Sequence, residues 1–453
     1  MTVRRRLVGG AIAVAVLVSA CSANPPASTT APAGESSSAA EPAGLAPVKV
    51  EVPKGMDAAP LNTTRQALVP RGWKISVYAR VPSARLEAWA PDDTMLVSVP
   101  KEGSVVRLVP DGKGRATVSE VLTGLNQPHG LAFDGSDVYV AQSDRVDVYT
   151  YRDGKLTEPR PVLTGLPDAK SPELGGKYAH ALKSVALGQD GSVYVSVGST
   201  GNISAEDLTA NPPRASILRV PPGGGKPEPF AVGVRNGTGL AVAPDGAVWT
   251  AVNNRDNVQY PFDRPYGDAS GSARGQVIEQ YVRDHPVEPL AKLTAGRNLG
   301  WPYCNPDADV RPGVPGSKQH RSDVAFTPDV ETNPDQSKLE CKTLPPIEQA
   351  LGGHSAPLGL SFVDGGLPGE YASGALLGVH GSWNASPPRA PEVSFFPWHD
   401  GELGPQQTLV GGFQASDGSR WGRPVAAVAG PDGAVYVSDD EAGAVYRLAP
   451  PGR

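Results

Sequence analysis

Six stretches of the chain share one design: a polar turn containing Asp, often Asp-Gly, beside a run with apolar residues at every second position. They are APDDTMLVSV near Asp92, FDGSDVYVAQ near Asp134, GQDGSVYVSVG near Asp190, APDGAVWTAV near Asp245, FVDGGLPGEYASGALLGVHG near Asp364 and GPDGAVYVSDD near Asp432. A period of two puts apolar side chains on one face of a pleated strand, so each stretch predicts a tight turn leading into a half-buried strand. Successive Asp positions lie 42, 56, 55, 119 and 68 residues apart. The first three intervals suit a four-stranded propeller blade of about 40–50 residues plus a loop. The fourth is too long for one blade. Its roughly 100 residues between Asn253 and Gly353 carry weak strand signal and many Pro and Gly. They read as a long loop insertion between blades, with a degenerate blade as the alternative. The expected fold is therefore all-β, a six-bladed β-propeller, whose closed ring leaves no sheet edge open. An array of β-sandwiches would need several cores and linkers, and no linker is visible after Pro60.

Composition supports short strands joined by turns. Gly (53) and Pro (47) make up about 22% of the 453 residues, against roughly 12% in ordinary chains. Each inside a helix costs about 1–3 kcal/mol, which argues against a helical bundle. The net charge of −6, with no basic tract beyond the N-terminus, gives nucleic-acid binding no electrostatic support.

Arg4, Arg5 and Arg6 precede an apolar run from Leu7 to Val18. That run is shorter than the roughly 20 residues of a membrane helix and reads as an export signal. Val18-Ser19-Ala20-Cys21 resembles a bacterial lipobox, which implies cleavage after residue 20, lipidation of Cys21 and anchoring to the outer side of the cytoplasmic membrane. Residues 21–65 are expected to form a tether: from Ser22 to about Pro60 the chain is rich in Ala, Ser, Pro, Thr and Glu and has few large apolar residues. Residues 66–453 form the expected propeller. In an oxidising setting Cys304 and Cys341 are expected to pair, two free thiols being the alternative. The chain has no CxxC or HExxH of a zinc site.

Several segments are more polar than turns require. His180 sits where a loop meets a strand; Arg235 and Asn236 lie in GVRNGTG, between glycines that let the backbone turn sharply. VNNRDN, from Val252 to Asn257, is rich in the amide and carboxylate oxygens that calcium takes. GVHGSWN contains His380 and Trp383, and RWGRPV contains Arg420, Trp421 and Arg423. Taken singly, His180 reads equally as a structural loop histidine, Arg235 as a salt-bridged surface residue and VNNRDN as a hydrophilic turn. His129 in NQPHGLAF and His354 in GGHSAPLGL also precede strands, where they either face a common pocket or bond within their loops.

Taken together, VGVRNGTGLAVAPDG, VNNRDN, NLGWPYC, HSAPLGLSF, GVHGSWN and WGRPVAAVAGPDGAVYVSDD resemble the glucose/sorbosone dehydrogenase family, the soluble quinoprotein sugar dehydrogenases, closest to its sorbosone (pyranose) branch. The resemblance spans about residues 70–450. It implies a six-bladed propeller with pyrroloquinoline quinone (PQQ) and Ca²⁺ on its top face, oxidising a sugar or sugar-derived alcohol or aldehyde by hydride transfer to the quinone. An external electron acceptor would reoxidise the cofactor. Carried over by position, His180 matches the general base; Arg235 and Asn236 match a pair contacting the quinone side. Asn254, Arg255 and Asp256 fall at the calcium loop, where backbone carbonyls are the expected ligands. Arg423 and His380 match contacts to the PQQ carboxylates, and Arg85 is a first-blade contact. Ser199 stands where the glucose branch has an acid, and Trp421 where it has a second arginine; Trp421 is then placed to stack on the cofactor plane. The alternatives are a calcium-dependent hydrolase of the lactonase type and a non-catalytic binding propeller of the cell envelope. With its edges closed, the ring gives no reason to expect more than a monomer, touching the membrane through its lipid anchor alone.

Overall fold

The computed structural model of the chain describes residues 44–453; the signal segment 1–20, the lipidation site Cys21 and the tether as far as residue 43 lie outside the described residues. Every one of the six Asp turns joins the antiparallel first and second strands of a separate sheet. Those first strands are Glu87–Trp89, Leu131–Asp134, Val185–Leu187, Gly239–Val242, Pro357–Asp364 and Pro424–Ala429. They are the innermost strands of six blades, each packed against the next, with Pro424–Ala429 meeting Glu87–Trp89 to close the ring.

The turn chemistry explains why Asp recurs. Asp190, Asp245 and Asp432 each accept the backbone N–H two residues on, at 2.9, 3.0 and 3.2 Å, the Asx-turn that fixes a tight reversal. In four blades a cation on the third strand also reaches the turn: Arg107 to Asp92, Arg219 to Asp190, Lys292 to Asp245 and Arg447 to Asp432, at 2.6–3.3 Å. The carboxylate thus ties the turn to a strand that does not neighbour the innermost one.

Between successive blades lie six apolar layers. Alternating residues of one sheet supply one side of each layer, as in Met95 and Val97 packed with Tyr78 and Val445. Small residues set the spacing at the axis. A Cβ on Gly239 would stand 2.7 Å from Leu358 O, and one on Gly359 would stand 2.5 Å from Ala426 Cβ, so innermost strands of neighbouring blades approach there without side chains between them. The last blade takes its fourth strand from the other end of the chain: Lys74–Arg80 pairs antiparallel with Ala444–Ala449.

Two expectations about boundaries change. The long insertion does not lie between blades. It interrupts one blade twice, as residues 252–287 and 294–346, around that blade's third and fourth strands, Glu288–Leu293 and Ile347–Leu351. EPLAKL is buried at almost every position and carries a proline, so it lacks the period-two signature of a half-buried strand. The insertion has its own apolar cluster around Tyr260 and Tyr281. Within it Cys304 and Cys341 form a disulfide across 37 residues, a closure that stabilises by about 3–4 kcal/mol in the chain-entropy model.

The second change concerns the tether, which cannot extend to residue 65. Leu45–Lys49 pairs with Gln66–Pro70, and Leu45, Val50 and Leu61 are buried, the last two in the largest inter-blade core. Burying such a side chain contributes on the order of 1.5–3 kcal/mol. A chain beginning at residue 66 is expected to unfold at clearly lower denaturant than one beginning at residue 44, by several kcal/mol. Coincident urea transitions would return residues 45–65 to the tether.

Candidate active site

In an antiparallel blade, the start of the first strand and the end of the second lie at the same end. Arg85, His129, His180, Arg235, His354 and Arg423 all stand just before a first strand; Lys101, Ser199, Asn254, His380 and Asp440 stand just after a second. Hydrogen bonds between blades, such as Arg85 to Asp440, Ser199 to Arg235 and Asn253 to Pro357, gather these ends on one face. There they form two adjoining groups.

The first group surrounds His180. Its Nδ1 lies 3.0 Å from Ser199 O and 2.9 Å from Ser199 Oγ. A carbonyl only accepts, so Nδ1 carries the proton and Nε2 presents a lone pair. Ser199 therefore orients the imidazole, its hydroxyl donating onward to Gly201 O at 2.7 Å. Gly198 is required beside it, because a Cβ there would stand 2.5 Å from His180 Cβ and 3.1 Å from Asn236 Oδ1. Burial, reinforced by the charge of Arg235, lowers the His180 pKa to about 3, so the ring is neutral throughout the physiological range. Arg235 is buried and donates to Asn254 O (2.6 Å), Asn202 Oδ1 (3.1 Å) and Asn253 O (3.3 Å), with Asp256 Oδ2 at 3.5 Å. Its backbone carbonyl takes the Ser199 N–H at 2.7 Å, which couples the guanidinium loop to the histidine loop.

Asp256 also faces His354 Nδ1 at 3.3 Å, and His354 Nε2 lies 2.7 Å from Val282 O. Burial raises the Asp256 pKa, but His354 and Arg235 outweigh it and hold the carboxylate below its ordinary range. The oxygens at this point, carbonyls of Asn253 and Asn254, the Asn202 amide and the Asp256 carboxylate, are hard donors of the kind calcium takes. Arg235 engages all of them here, so a calcium ion would exchange with those bonds. The side chain of Arg255 is not among them. It turns into the insertion and is buried on Asp329 and Glu331.

The second group lines a cavity of about 370 Å³ formed in part by Arg85, Lys101, Leu182, His380, Arg423 and Asp440. Asp440 accepts from Arg85 at 2.8 Å and from His380 Nε2 at 2.8 Å. Burial opposes ionisation of Asp440, but those partners draw its pKa down to about 2. Asp439 is fully buried and accepts the Arg423 backbone N–H at 2.9 Å, while Arg423 Nε donates to His380 O at 2.9 Å. The adjacent aspartates of VSDD thus have separate tasks, one fixing the Arg423 backbone and the other joining Arg85 to His380. Arg85 Nε is buried without a partner. Three cationic side chains against Asp440 and Glu441 suit an anionic ligand rich in carboxylates. Leu182, two residues beyond His180, borders the same cavity.

Trp421 is not a cofactor wall. It is 7% exposed, packs on Phe413 at 4.9 Å and donates Nε1–H to Gly412 O at 2.7 Å. Trp383 is 74% exposed, on a loop where Asn384 donates to Asn257 Oδ1 at 3.1 Å. His129 is fully buried, its Nδ1 3.3 Å from Lys183 O. Two supporting residues escaped the sequence reading. Lys183 is fully buried, donating to Ala181 O (2.6 Å) and Pro167 O (3.0 Å), and burial lowers its pKa to about 7; a lysine between apolar residues just before a strand was the available signal. Glu288 is fully buried near Arg235, its pKa raised well above normal by burial; in a stretch without periodicity it left no signal.

A model of the TrAA12-like family matches residues 67–450. The holo form of the PQQ domain of pyranose dehydrogenase from Coprinopsis cinerea superposes with a TM-score of 0.69 at 19% identity, covering 88% of this chain and 98% of that one. The calcium structure of Trichoderma reesei Carbohydrate-Active Enzymes Family AA12 gives a TM-score of 0.66 at 18% identity, covering 84% and 96%. An uncharacterized protein of Borreliella burgdorferi is 22% identical over 398 residues, 84% of this chain and 90% of that protein.

Two outcomes are expected. Trp421→Ala should cost about 3–5 kcal/mol in denaturant unfolding, whereas Trp383→Ala should leave stability within roughly 0.5 kcal/mol; equal effects would remove the distinction between core and surface. Neutral His180 has a folded pKa below its unfolded value near 6.5. Its contribution is therefore present above pH 6.5 and is lost as pH falls toward 3. The stability difference between wild type and His180→Gln should shift against the wild type between pH 6.5 and 4; a constant difference would contradict the buried neutral state.

Proposed function

The chain belongs to the TrAA12-like family, and from that membership and the chemistry of its own loops we propose that it is a quinoprotein sugar dehydrogenase using PQQ and Ca²⁺. The observation that carries the reading is the convergence of Arg85, Lys101 and Arg423 on one cavity beside the loop of His180. PQQ is a planar ortho-quinone with three carboxylates, and when bound it supplies the hydride acceptor.

Arg85 and Arg423 would hold its carboxylates, the planar guanidinium matching a carboxylate through two parallel N–H bonds. The backbone of Arg423 is fixed by Asp439, so the fork is positioned before ligand arrives. Ca²⁺ would draw on the oxygens around Asn253, Asn254 and Asp256. His180 Nε2, unprotonated and oriented by Ser199, accepts the proton of a substrate hydroxyl. The charge of Arg235 favours electron density arriving nearby and disfavours a second proton on His180 in the resting site. Trp383, exposed on the same face, offers a flat apolar surface to a sugar ring.

We also place the protein outside the cytoplasm, lipid-anchored through Cys21, a reading supported by the Cys304–Cys341 disulfide. An external electron acceptor completes the cycle.

Full-length protein loaded with PQQ and Ca²⁺ is expected to reduce an artificial dye with at least one aldose. His180→Ala should lower kcat by about 10²–10⁴-fold with PQQ affinity unchanged. Arg423→Ala should weaken PQQ binding by about 10- to 100-fold. Absence of PQQ binding at micromolar concentration would overturn the reading, and lactone hydrolysis without dye reduction would select the hydrolase instead.

A further inference from the structure

The two halves of the insertion meet at a buried cluster remote in sequence from the loops described above. His285 follows directly on the short helix Glu279–Asp284, and Asp307 and Asp309 follow Cys304–Pro306. One ligand atom from each residue lies within 4.8 Å of the others. All three side chains are only 5–7% exposed.

The imidazole is prepared on one side. Nδ1 lies 2.9 Å from Tyr281 O, and the ring stacks on Tyr281 at 4.0 Å and 10°. Because that carbonyl only accepts, Nδ1 carries a proton, and Nε2 points at the carboxylates. Nε2 is 3.1 Å from Asp309 Oδ2 and 3.6 Å from Asp307 Oδ1, yet it makes no hydrogen bond of acceptable geometry, and Asp307 Oδ2 is likewise buried without a partner. Among the described residues, no lysine or arginine pairs with either carboxylate. Their other contacts are the Asp309 N–H on Asp307 Oδ1 at 3.0 Å and Gln319 Nε2 on Asp309 Oδ1 at 3.4 Å.

Two buried carboxylates thus face an imidazole nitrogen that lies within ion-pair distance of both but hydrogen-bonds neither in good geometry. The separations suit a metal. Bonds of about 2.0–2.2 Å to nitrogen and oxygen in a tetrahedron put neighbouring ligand atoms roughly 3.3–3.6 Å apart. An imidazole with two carboxylates favours a zinc-like divalent ion over calcium, and a backbone carbonyl on the far ring nitrogen is the usual outer support of a metal-bound histidine. We propose that His285, Asp307 and Asp309 form a binding site for a zinc-like divalent cation that clamps residues 252–287 to residues 294–346, separate from the top-face cofactor site.

The clamp would act beside the active-site loops. His285 closes the helix whose Val282 carbonyl accepts His354, and His354 faces Asp256. Gln319 adds a tie from the Asp309 side to Asp284 O at 3.3 Å.

The test uses the full chain, stripped with a chelator and equilibrated with Zn²⁺ alone. One zinc per chain should survive gel filtration, and Co²⁺ in its place should give visible d–d absorption. Asp307→Asn and His285→Gln should each weaken zinc binding by more than the roughly 100-fold that loss of an outer-shell partner costs and abolish the rise in Tm that zinc produces. Asp256→Asn should leave zinc stoichiometry unchanged. Failure of the wild type to hold zinc at 10 µM, well above the roughly 0.05 µM Kd at the weak end of structural sites, would overturn the proposal whether or not the variants fold. So would loss of zinc in Asp256→Asn with retention in Asp307→Asn, which would assign the metal to the top face.

Discussion

Each blade of this protein has two apolar faces and no stability without neighbours on both. The six layers between blades are therefore one closed system, and closure depends on the pairing of Lys74–Arg80 with Ala444–Ala449. Without that pairing the last blade would lack its outer strand, and the largest core, which contains Ile75, Val77, Val437 and Tyr446 together, would lose one side. The small residues at the axis follow from the same constraint, since innermost strands must approach closely for the ring to close on six units.

Closure also makes the site. It sets the starts of six first strands and the ends of six second strands side by side, so residues far apart in the chain become neighbours with no dedicated subdomain. Arg85 and Asp440 meet across 355 residues. The polar groups are then anchored by backbone as much as by each other: Ser199 to His180, Asp439 to Arg423, Asn254 to Arg235. Such anchoring lets cationic and basic groups stand ready on loops that would otherwise be the least ordered parts of the molecule.

Legibility in the sequence followed local chemistry. The Asp turns were readable because an Asx-turn and a period-two strand are local events, and they correctly indexed all six blades. Glu288–Leu293 was not readable, because a strand buried on both faces, with Glu and Pro at its head, has no alternation to show. The tether limit failed for the opposite reason: Leu45, Val50 and Leu61 are sparse apolar residues whose burial is decided by a distant core. Arg235 and Arg423 were found through motif order, His180 and Arg85 through their place just before a strand, and all four share one face. Trp421 was misplaced because nothing local separates an aromatic that faces a ligand from one that faces Phe413.

The strand that closes the ring has a consequence in time as well as space. Lys74–Arg80 is made well before its partner, since Lys74 pairs with Ala449. During synthesis KISVYAR is an alternating, largely apolar edge with both sides unpaired, the kind of segment that templates wrong pairings. The later cost of bringing the two ends together grows only logarithmically with the intervening length. Waiting, not distance, is the hazard. The pairing of Leu45–Lys49 with Gln66–Pro70, together with the bridge from Glu51 to Ser76, gives this strand a companion close in sequence, available as a guard before Ala444–Ala449 is made.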